Sequence, residues 1–406
     1  MRYIDYLDFR YRPGDDLICR FWLKAKDPKK AAGAVAAESS IGTWTETTTV
    51  KPYMLKYAAK VFRLEKQGKG WIADIAYPAD LWEAGNLPGL LSGIAGNIFG
   101  MKEVDKLRLI DVRFPKKLLK TFPGPKFGIQ GVRKRTGVRK RPLIGTIVKP
   151  KIGLKPDDHA RVAFEAWVGG CDLVKDDENL VDQKFNRFRE RLEKTLKAKE
   201  RAERETGERK FYMVNVTAET QEMLKRARLA EELGNEYIMA DVIVLGWSAI
   251  QTLRNQDFNL ILHAHRAGHA ALDREEHGIK MCVIAKLVRL AGFDQLHVGT
   301  VVGKMFEGLE DVKENIKALK EDMGRIKPVM PVSSGGLHPG HVPRLLEIFG
   351  RDVIIQMGGG IHGHPGGTRA GARAARQALE ASLQGIPLKE ARKSYEELDQ
   401  ALKHWA

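Results

Sequence analysis

Two rhythms of apolar and polar positions divide the chain. Within residues 1–125, apolar runs of strand length are mixed with helix-like segments, at 17–23, 71–77 and 107–114 for the strands and at 29–38 and 87–99 for the helices. Such a mixture is typical of an α+β domain. We therefore expect residues 1–125 to form a smaller α+β domain with an antiparallel, ferredoxin-like sheet.

Beyond residue 142 the pattern becomes a regular alternation. Short apolar runs are separated by longer charge-rich segments, such as 185–205, whose charged face is typical of an exposed helix. Eight runs of this kind occur, at 143–148, 171–174, 211–216, 237–244, 260–263, 295–298, 329–332 and 353–357. Eight strand-then-helix units predict a (β/α)₈ TIM barrel over residues 143–406, with 126–142 as a basic connector.

Polar and ionisable residues follow the apolar runs of the predicted barrel. TIM barrels carry their chemistry at the carboxyl ends of the strands. The residues found there are Lys149-Pro150-Lys151, Lys175-Asp176-Asp177-Glu178, Asn215, Asp241, His263-Ala264-His265-Arg266, His297, Ser333-Ser334-Gly335-Gly336 and Gly358-Gly359-Gly360. We expect the active site among them.

The run from Lys175 to Glu178 suggests a metal site. Alternate strand residues share a face, so Lys175 and Asp177 are expected on one side and Asp176 on the other, with Glu178 turning back to join the first pair. Two carboxylates are ligands that suit Mg²⁺. Lys175 could contribute only as a neutral amine that has added CO₂ to form a carbamate. The alternative, that it merely neutralises the carboxylates, stays open on the local pattern.

Two glycine-rich turns, at 334–336 and 358–360, follow the last two strands, where TIM barrels commonly bind phosphate. His265, Arg266 and His297 add groups suited to a second phosphate and to proton transfer. The segment 299–304 predicts either a lid over the substrate or a simple surface loop.

Composition narrows the possibilities. The chain of 406 residues is 43% hydrophobic and 30% charged, without a membrane-length apolar run or a secretory leader, which favours a cytoplasmic enzyme. Its three cysteines are too widely spaced for a disulfide framework or a zinc site. The net charge of +16 is densest at 133–141, which is interpreted either as a solvated connector or as a polyanion-binding patch.

The longest motif resembles that of a known family. Residues 169–179 read GGCDLVKDDEN and resemble the activation motif of the large subunit of ribulose-1,5-bisphosphate carboxylase/oxygenase (RuBisCO). The resemblance extends from residues 31–40 (AAGAVAAESS) to the glycine triplet at 358–360 and beyond. In its compact length the chain is most similar to the archaeal form III enzymes, which have no small subunit.

The resemblance implies carboxylation of ribulose 1,5-bisphosphate to two molecules of 3-phosphoglycerate through a Mg-stabilised enediolate, with oxygenation as a side reaction. Lys175 would be the carbamylated lysine and, with Asp177 and Glu178, would hold Mg²⁺. Lys149 would protonate the final carbanion, and Lys151 would tune its pKa, because neighbouring ammonium groups lower one another's pKa.

The resemblance also assigns the substrate's surroundings. His265 would relay protons, and Lys304 would close over CO₂ and stabilise the new carboxylate. One phosphate would be held by Arg266, His297 and Ser334, and the other by Gly336, Gly358, Gly359, Thr43 and Trp44.

The N-terminal domain would complete the active site of a neighbouring subunit. Glu38, Thr43, Trp44 and Asn97 carry this role in the family, which makes a homodimer the smallest competent unit, and Glu38 would pair with Lys304 across the boundary. The run 305–308 (MFEG) after Lys304 is one residue longer than the family's usual sequence, which bears on lid closure and on CO₂/O₂ discrimination.

Two alternatives remain. A RuBisCO-like enolase or isomerase of another phosphorylated ketose would share the enolisation step, although such relatives typically lose several of the lid and phosphate residues that are present here. A basic nucleic-acid-binding protein would explain the charge, and it predicts salt-sensitive DNA binding without need of Mg²⁺ or CO₂.

Overall fold

The computed structural model describes residues 1–304 and 307–405. Its strands, in chain order, are β1 (Leu17–Lys24), β2 (Lys60–Gln67), β3 (Gly70–Tyr77), β4 (Lys106–Arg113), β5 (Leu143–Ile147), β6 (Leu173–Lys175), β7 (Phe211–Asn215), β8 (Tyr237–Asp241), β9 (Ile261–His265), β10 (Gly278–Ile279), β11 (Gln295–His297), β12 (Met330–Ser334) and β13 (Ile354–Gln356).

The α-helices are α1 (Pro28–Glu38), α2 (Leu87–Ile94), α3 (Lys116–Leu119), α4 (Gly128–Thr136), α5 (Pro156–Gly169), α6 (Phe188–Thr206), α7 (Thr220–Glu232), α8 (Val242–Leu245), α9 (Trp247–Asn255), α10 (His269–Leu272), α11 (Met281–Ala291), α12 (Leu309–Lys320), α13 (Val342–Phe349), α14 (Gly359–His362), α15 (Gly367–Leu383), α16 (Leu388–Ala391) and α17 (Glu396–His404). Short 3₁₀ helices occur at Tyr3–Tyr6, Pro52–Tyr57, Ala79–Leu81, Asn97–Gly100 and Pro339–His341.

The chain divides into two compact units. The first contains residues 1–124 together with 268–291 and 321–327. Its five-stranded sheet has the order β10-β4-β1-β3-β2, in which β1 to β4 pair antiparallel and the two-residue β10 pairs parallel to β4. The predicted α+β unit with an antiparallel sheet is confirmed, with one parallel edge strand added.

The strand β2 was not predicted from the apolar pattern. Of its eight residues, Val61 alone is buried, and the rest are partly or fully exposed. An edge strand with charged positions gives little period-2 signal, which is why the pattern missed it.

The second unit contains residues 125–267, 292–320 and 328–406 and holds the barrel. Within its described residues, eight parallel strands close in the order β5-β6-β7-β8-β9-β11-β12-β13. Each predicted run coincides with one of these strands, so the TIM barrel is confirmed. Its interior is filled by apolar side chains from the strands, including Leu143, Phe211, Met239 and Val332.

Helix α4 corrects part of the connector hypothesis. Ile129 and Val132 of this helix belong to the barrel core. Arg133, expected on a solvated surface, is 6% exposed and donates to the Asp352 carboxylate at 2.9 and 3.0 Å and to the Val138 carbonyl at 2.8 Å. A run of basic residues in the sequence does not reveal that Arg133 is buried and donates hydrogen bonds to backbone carbonyl groups.

Asp294, just before β11, links α4 to the strands. Its Oδ1 accepts hydrogen bonds from the backbone N–H groups of Phe127 and Gly128, both at 2.8 Å, and its Oδ2 accepts one from Leu262 at 3.0 Å. Burial raises the pKa of Asp294 to about 6, although these three donors oppose the shift. The carboxyl group thus fixes the start of α4 relative to β9.

We predict that Asp294→Asn destabilises the protein by ~1–3 kcal/mol, because the new amide NH₂ faces the Leu262 N–H and leaves a buried donor without an acceptor. The midpoint of thermal unfolding, followed by circular dichroism, should fall. Asp105→Asn, at an exposed position, is the control and should leave the midpoint unchanged. Equal midpoints for both variants would contradict the role given to Asp294.

Candidate active site

Lys175 is the last residue of β6 and is almost completely buried, with 1% exposure. Its Nζ donates to the Asp176 carbonyl at 2.7 Å and lies 2.9 Å from Met239 Sδ. Within residues 1–304 and 307–405 it forms no ion pair with a carboxylate closer than 4.0 Å. Burial lowers the pKa of Lys175, even though nearby carboxylates, Glu178 foremost, act in the opposite direction. The amine is therefore easier to deprotonate than a surface lysine.

Asp177 and Glu178 are each paired with a lysine that follows β5. Asp177 Oδ2 accepts from Lys149 Nζ at 2.6 Å, and Glu178 Oε1 lies 3.6 Å from Lys151 Nζ. Burial opposes the ionisation of Asp177, but Lys149 outweighs it and lowers the pKa of that carboxyl to about 2. Two carboxylates and two ammonium groups thus neutralise one another at the mouth of the barrel.

Asp176 points away from this group, as the strand alternation predicted. Its carboxylate accepts from Tyr212 Oη at 2.5 Å, from Arg191 Nε at 3.2 Å and from the Asn215 backbone N–H at 3.0 Å. His159 Nε2 lies 3.2 Å away. Burial raises the pKa of Asp176, but Arg191 and these donors reverse the effect and keep the carboxyl ionised. This buried network anchors the strand that carries Lys175.

A directed chain of hydrogen bonds runs from β11 to the last residue of β12. Gln295 Nε2 donates to Tyr237 Oη at 3.2 Å, which leaves its Oε1 to accept from His263 Nδ1 at 2.9 Å. His263 Nε2 then accepts from His297 Nε2 at 2.9 Å, and His297 Nδ1 accepts from Ser334 Oγ at 2.8 Å. The chain therefore assigns a tautomer to both histidines and a direction to the Ser334 hydroxyl.

His265 lies on the other side of His297. Its Nδ1 is 2.6 Å from Asp241 Oδ1, and its Nε2 is 3.8 Å from Glu178 Oε2. The Asp241 carboxylate orients the ring, which leaves Nε2 facing the carboxylate group at the barrel mouth.

Arg266, which was predicted to bind phosphate, is already paired with a carboxylate of this chain. Its guanidinium donates to the carboxylate of Glu307, and both side chains are buried. Sequence spacing did not indicate this pair, because Glu307 lies 41 residues further along the chain.

The two glycine-rich turns lie close to lysine residues, and one of them contacts Lys304, the last residue described before position 305. The Lys304 backbone N–H donates to the Gly335 carbonyl at 3.1 Å, and Gly336 has a left-handed φ of 74°. A Cβ atom on Gly336 would lie 2.9 Å from Lys304 N, and one on Gly358 would lie 3.0 Å from Lys149 Cε. These glycines allow the backbone to pass close to two lysines. Gly359 begins α14. Met305 and Phe306, on which the expectation of a longer lid depends, lie outside the described residues.

The four remaining predicted residues lie in the first compact unit. Glu38 ends α1 and is half-buried, and Asn97 is exposed at the start of a 3₁₀ helix. Thr43 is partly exposed in the segment after α1, and Trp44 is 79% exposed. An indole this exposed is unusual for a side chain that serves only the packing of its own chain.

Sequence reasoning missed several contributors to the site. Gln295, Tyr237 and Met239 fall within the predicted apolar runs and were not among the predicted site residues, although each touches a polar group of the site. The signal for Gln295 was available, because it lies two residues before His297 on the same face of a strand. Met239 and Lys175 are 64 residues apart in the sequence, so no local sequence pattern indicates their contact.

The donor set bears on the predicted metal. Among the described residues, no group of three or more His, Cys, Asp or Glu side chains could hold a metal ion. A site at Asp177 and Glu178 therefore needs a further ligand of another kind. Lys175 is close enough for the charges of these two carboxylates to affect its pKa. As a carbamate it would supply oxygen ligands.

Within the described residues, no helix combines the length and the apolar character that a membrane crossing requires. The three cysteines are free and buried.

Both parts of this chain match a known protein family. Residues 128–405 match the family described as ribulose bisphosphate carboxylase large chain, catalytic domain, and residues 5–118 match its N-terminal domain. Ribulose bisphosphate carboxylase from Methanocaldococcus jannaschii is 51% identical, over 99% of this chain and 100% of that protein. The protein of the same name from Pyrococcus furiosus is 49% identical, over 99% of this chain and 97% of its own.

Solved structures agree with the sequence comparison. The octameric Rubisco from Pyrococcus horikoshii, crystallised with sulfate ion, superposes with a TM-score of 0.96 at 46% identity, over 100% of this chain and 97% of that one. The dimeric archaeal Rubisco from Hyperthermus butylicus gives 0.93 at 44% identity, over 100% and 99%.

We predict that His263 is protonated on Nδ1 and His297 on Nε2, and that both stay neutral as the pH falls through the range in which an ordinary histidine becomes charged. Burial lowers the pKa of each well below the ordinary histidine range, so the neutral forms persist on acidification. Histidine-selective ¹⁵N NMR measures tautomer and charge directly, with free histidine in the same buffer as the titrating control. Imidazolium signals for both residues near pH 6 would refute the assignment.

Proposed function

The chain belongs to the ribulose bisphosphate carboxylase large-chain family and carboxylates ribulose 1,5-bisphosphate; from this premise we propose how its own residues perform the reaction. The overall conversion joins the bisphosphate, CO₂ and water into two molecules of 3-phosphoglycerate, with oxygenation as a side reaction. The observation that carries the proposal is the buried amine of Lys175 beside two carboxylates.

We propose that Lys175 is activated by CO₂. Its neutral amine attacks the CO₂ carbon, a C–N bond forms, and one proton leaves to solvent, which gives a carbamate anion. Burial favours this step because it lowers the pKa of the amine. The carbamate, Asp177 and Glu178 would then hold Mg²⁺, which suits oxygen ligands of this kind. When bound, the ion would polarise the C2 carbonyl and the C3 hydroxyl of the substrate.

Formation of the site changes the state of two lysines. Lys149 is held at 2.6 Å by Asp177, and Lys151 lies 3.6 Å from Glu178. Binding of a dication by those carboxylates would free both ammonium groups to face the substrate. Lys149 would then be placed to protonate the C2 carbanion of the product, and Lys151 would add a second positive charge at the same strand end.

Proton transfer is assigned to His265 and to the carbamate. The carbamate removes the C3 proton. His265, oriented by Asp241 at 2.6 Å, relays protons during hydration.

The two phosphate groups are assigned to different turns. His297 and Ser334 would hold one phosphate once the hydrogen bond between them opens, together with Arg266 once its guanidinium turns from Glu307. The backbone at Gly336, Gly358 and Gly359 would hold the other, because glycine lets N–H groups approach the anion closely. Lys304, whose backbone already bonds to Gly335, would close over CO₂.

We also propose a homo-oligomer built from dimers, without a small subunit, in which Glu38, Thr43, Trp44 and Asn97 complete the site of the neighbouring subunit. The exposure of Trp44 and Asn97 on their own chain supports this role, and so do the octameric and dimeric assemblies of the similar archaeal structures. Glu38 would pair with Lys304 across the boundary.

The first test of the proposal is incorporation of labelled bicarbonate into acid-stable 3-phosphoglycerate, with ribulose 1,5-bisphosphate and Mg²⁺ present. We predict that Lys175→Ala lowers this activity by at least about a thousandfold at every CO₂ concentration, since alanine forms no carbamate. The same variant should lose the ¹³C NMR carbamate signal that ¹³CO₂ produces in the parent protein.

Lys134→Ala, at an exposed lysine outside the site, is the control and should retain both the activity and the signal. An active Lys175→Ala enzyme would refute the activation step, whereas an inactive parent protein would refute the carboxylase itself.

We predict complementation between two inactive variants. Asn97→Ala and Lys175→Ala should each be inactive alone, but random mixing of their chains should restore about a quarter of the parent activity, because half of the dimers then contain one intact site of two. Asn97 is exposed, so its removal should leave the fold intact, which circular dichroism checks. Mixed chains that exchange yet stay inactive would exclude shared sites.

A further inference from the structure

A basic cavity lies at the amino-terminal end of the barrel, opposite to the strand ends that carry Lys175. It has a volume of about 720 Å³. Its walls include residues that lie one to three positions before four strands adjacent in the barrel, namely Arg141 before β5, Asp172 before β6, Arg209 before β7 and Arg351 before β13. The amino-terminal face of a TIM barrel ordinarily serves stability, so a charged cavity there calls for a reason.

The two acidic residues in its wall are already neutralised. Asp172 accepts both guanidinium branches of Arg141 at 2.7 Å. Glu208 pairs with Lys210 at 2.8 Å and with Arg376 at 2.9 Å. Neither carboxylate is left to balance further positive charge.

Three other cations of the wall have no such partner. Arg139, Lys140 and Arg351 are exposed and, across the described part of the chain, none lies within 4.0 Å of a carboxylate. Like charges gathered around one concavity repel each other and raise the local positive potential. An anion that bound between them would remove that repulsion.

We propose that this cavity binds a small anion with two or more phosphate groups, at a site separate from the carboxylation centre. Guanidinium groups match phosphate oxygens with paired hydrogen bonds, and the cavity has the size of a small-molecule site. The converging cations favour a compact oligophosphate over a nucleic acid strand, because no aromatic side chain is present in the described wall for a base to stack on.

Tripolyphosphate is the probe, titrated into the full-length protein by calorimetry in magnesium-free buffer with saturating 3-phosphoglycerate, which carries a single phosphate group, to occupy the other end of the barrel. The double variant Arg139→Gln/Arg351→Gln should weaken the remaining binding at least about tenfold. The control Lys134→Gln/Arg228→Gln removes the same charge at exposed positions outside the cavity and should change binding less than about twofold.

Each other outcome overturns the site. Equal weakening in both double variants would show general attraction to a basic protein. Parent protein that binds no tripolyphosphate under these conditions would exclude the site. Tighter binding of a single-stranded RNA oligonucleotide that depends on Lys134 would instead favour an extended polyanion surface. Carboxylase activity does not enter this test, so its result is independent of the mechanism proposed above.

Discussion

The burial of one amine, that of Lys175, is the constraint on which the active site depends. A charged ammonium at 1% exposure would need a close carboxylate, and Nζ instead meets a carbonyl oxygen and a thioether. Burial lowers the pKa of this amine and so raises the share of its neutral form, which is the form that reacts with CO₂. The acidic neighbours act in the opposite direction and raise the pKa of the amine. Within the described residues, the amine therefore lies in the field of several carboxylates without forming an ion pair with any of them.

That balance requires a rigid support, and Asp176 provides it. The residue next to Lys175 carries a buried carboxylate whose partners come from α5, α6 and β7. One side of the strand is thus tied to the scaffold by ionic hydrogen bonds, while the other presents chemistry. The alternation of a β-strand separates the two tasks between adjacent residues.

The barrel and the group around Lys175 could be predicted because both follow local rules. Strand-length apolar runs predicted the eight strands, and period-2 alternation predicted that Asp176 turns away from Lys175 and Asp177. The contacts that regulate the site could not be predicted in the same way. Glu307 beside Arg266, Met239 beside Lys175 and Gln295 behind His263 are all pairings between strands or loops distant in sequence. Arg133 shows the converse error. As part of a basic run it was expected to be exposed to solvent, but it is buried and forms hydrogen bonds at the amino-terminal end of the barrel.

The pairs of Lys149 with Asp177 and of Lys151 with Glu178 have a consequence for cation affinity. A divalent ion that bound to Asp177 and Glu178 would compete with two lysine ammonium groups for the same carboxylate oxygens. The dissociation constant of that ion would therefore describe an exchange of cations, and the binding free energy would be reduced by the cost of separating both ion pairs. Loss of the Lys149 charge should tighten metal binding while it abolishes turnover, so a gain in affinity at this centre signals damage rather than improvement.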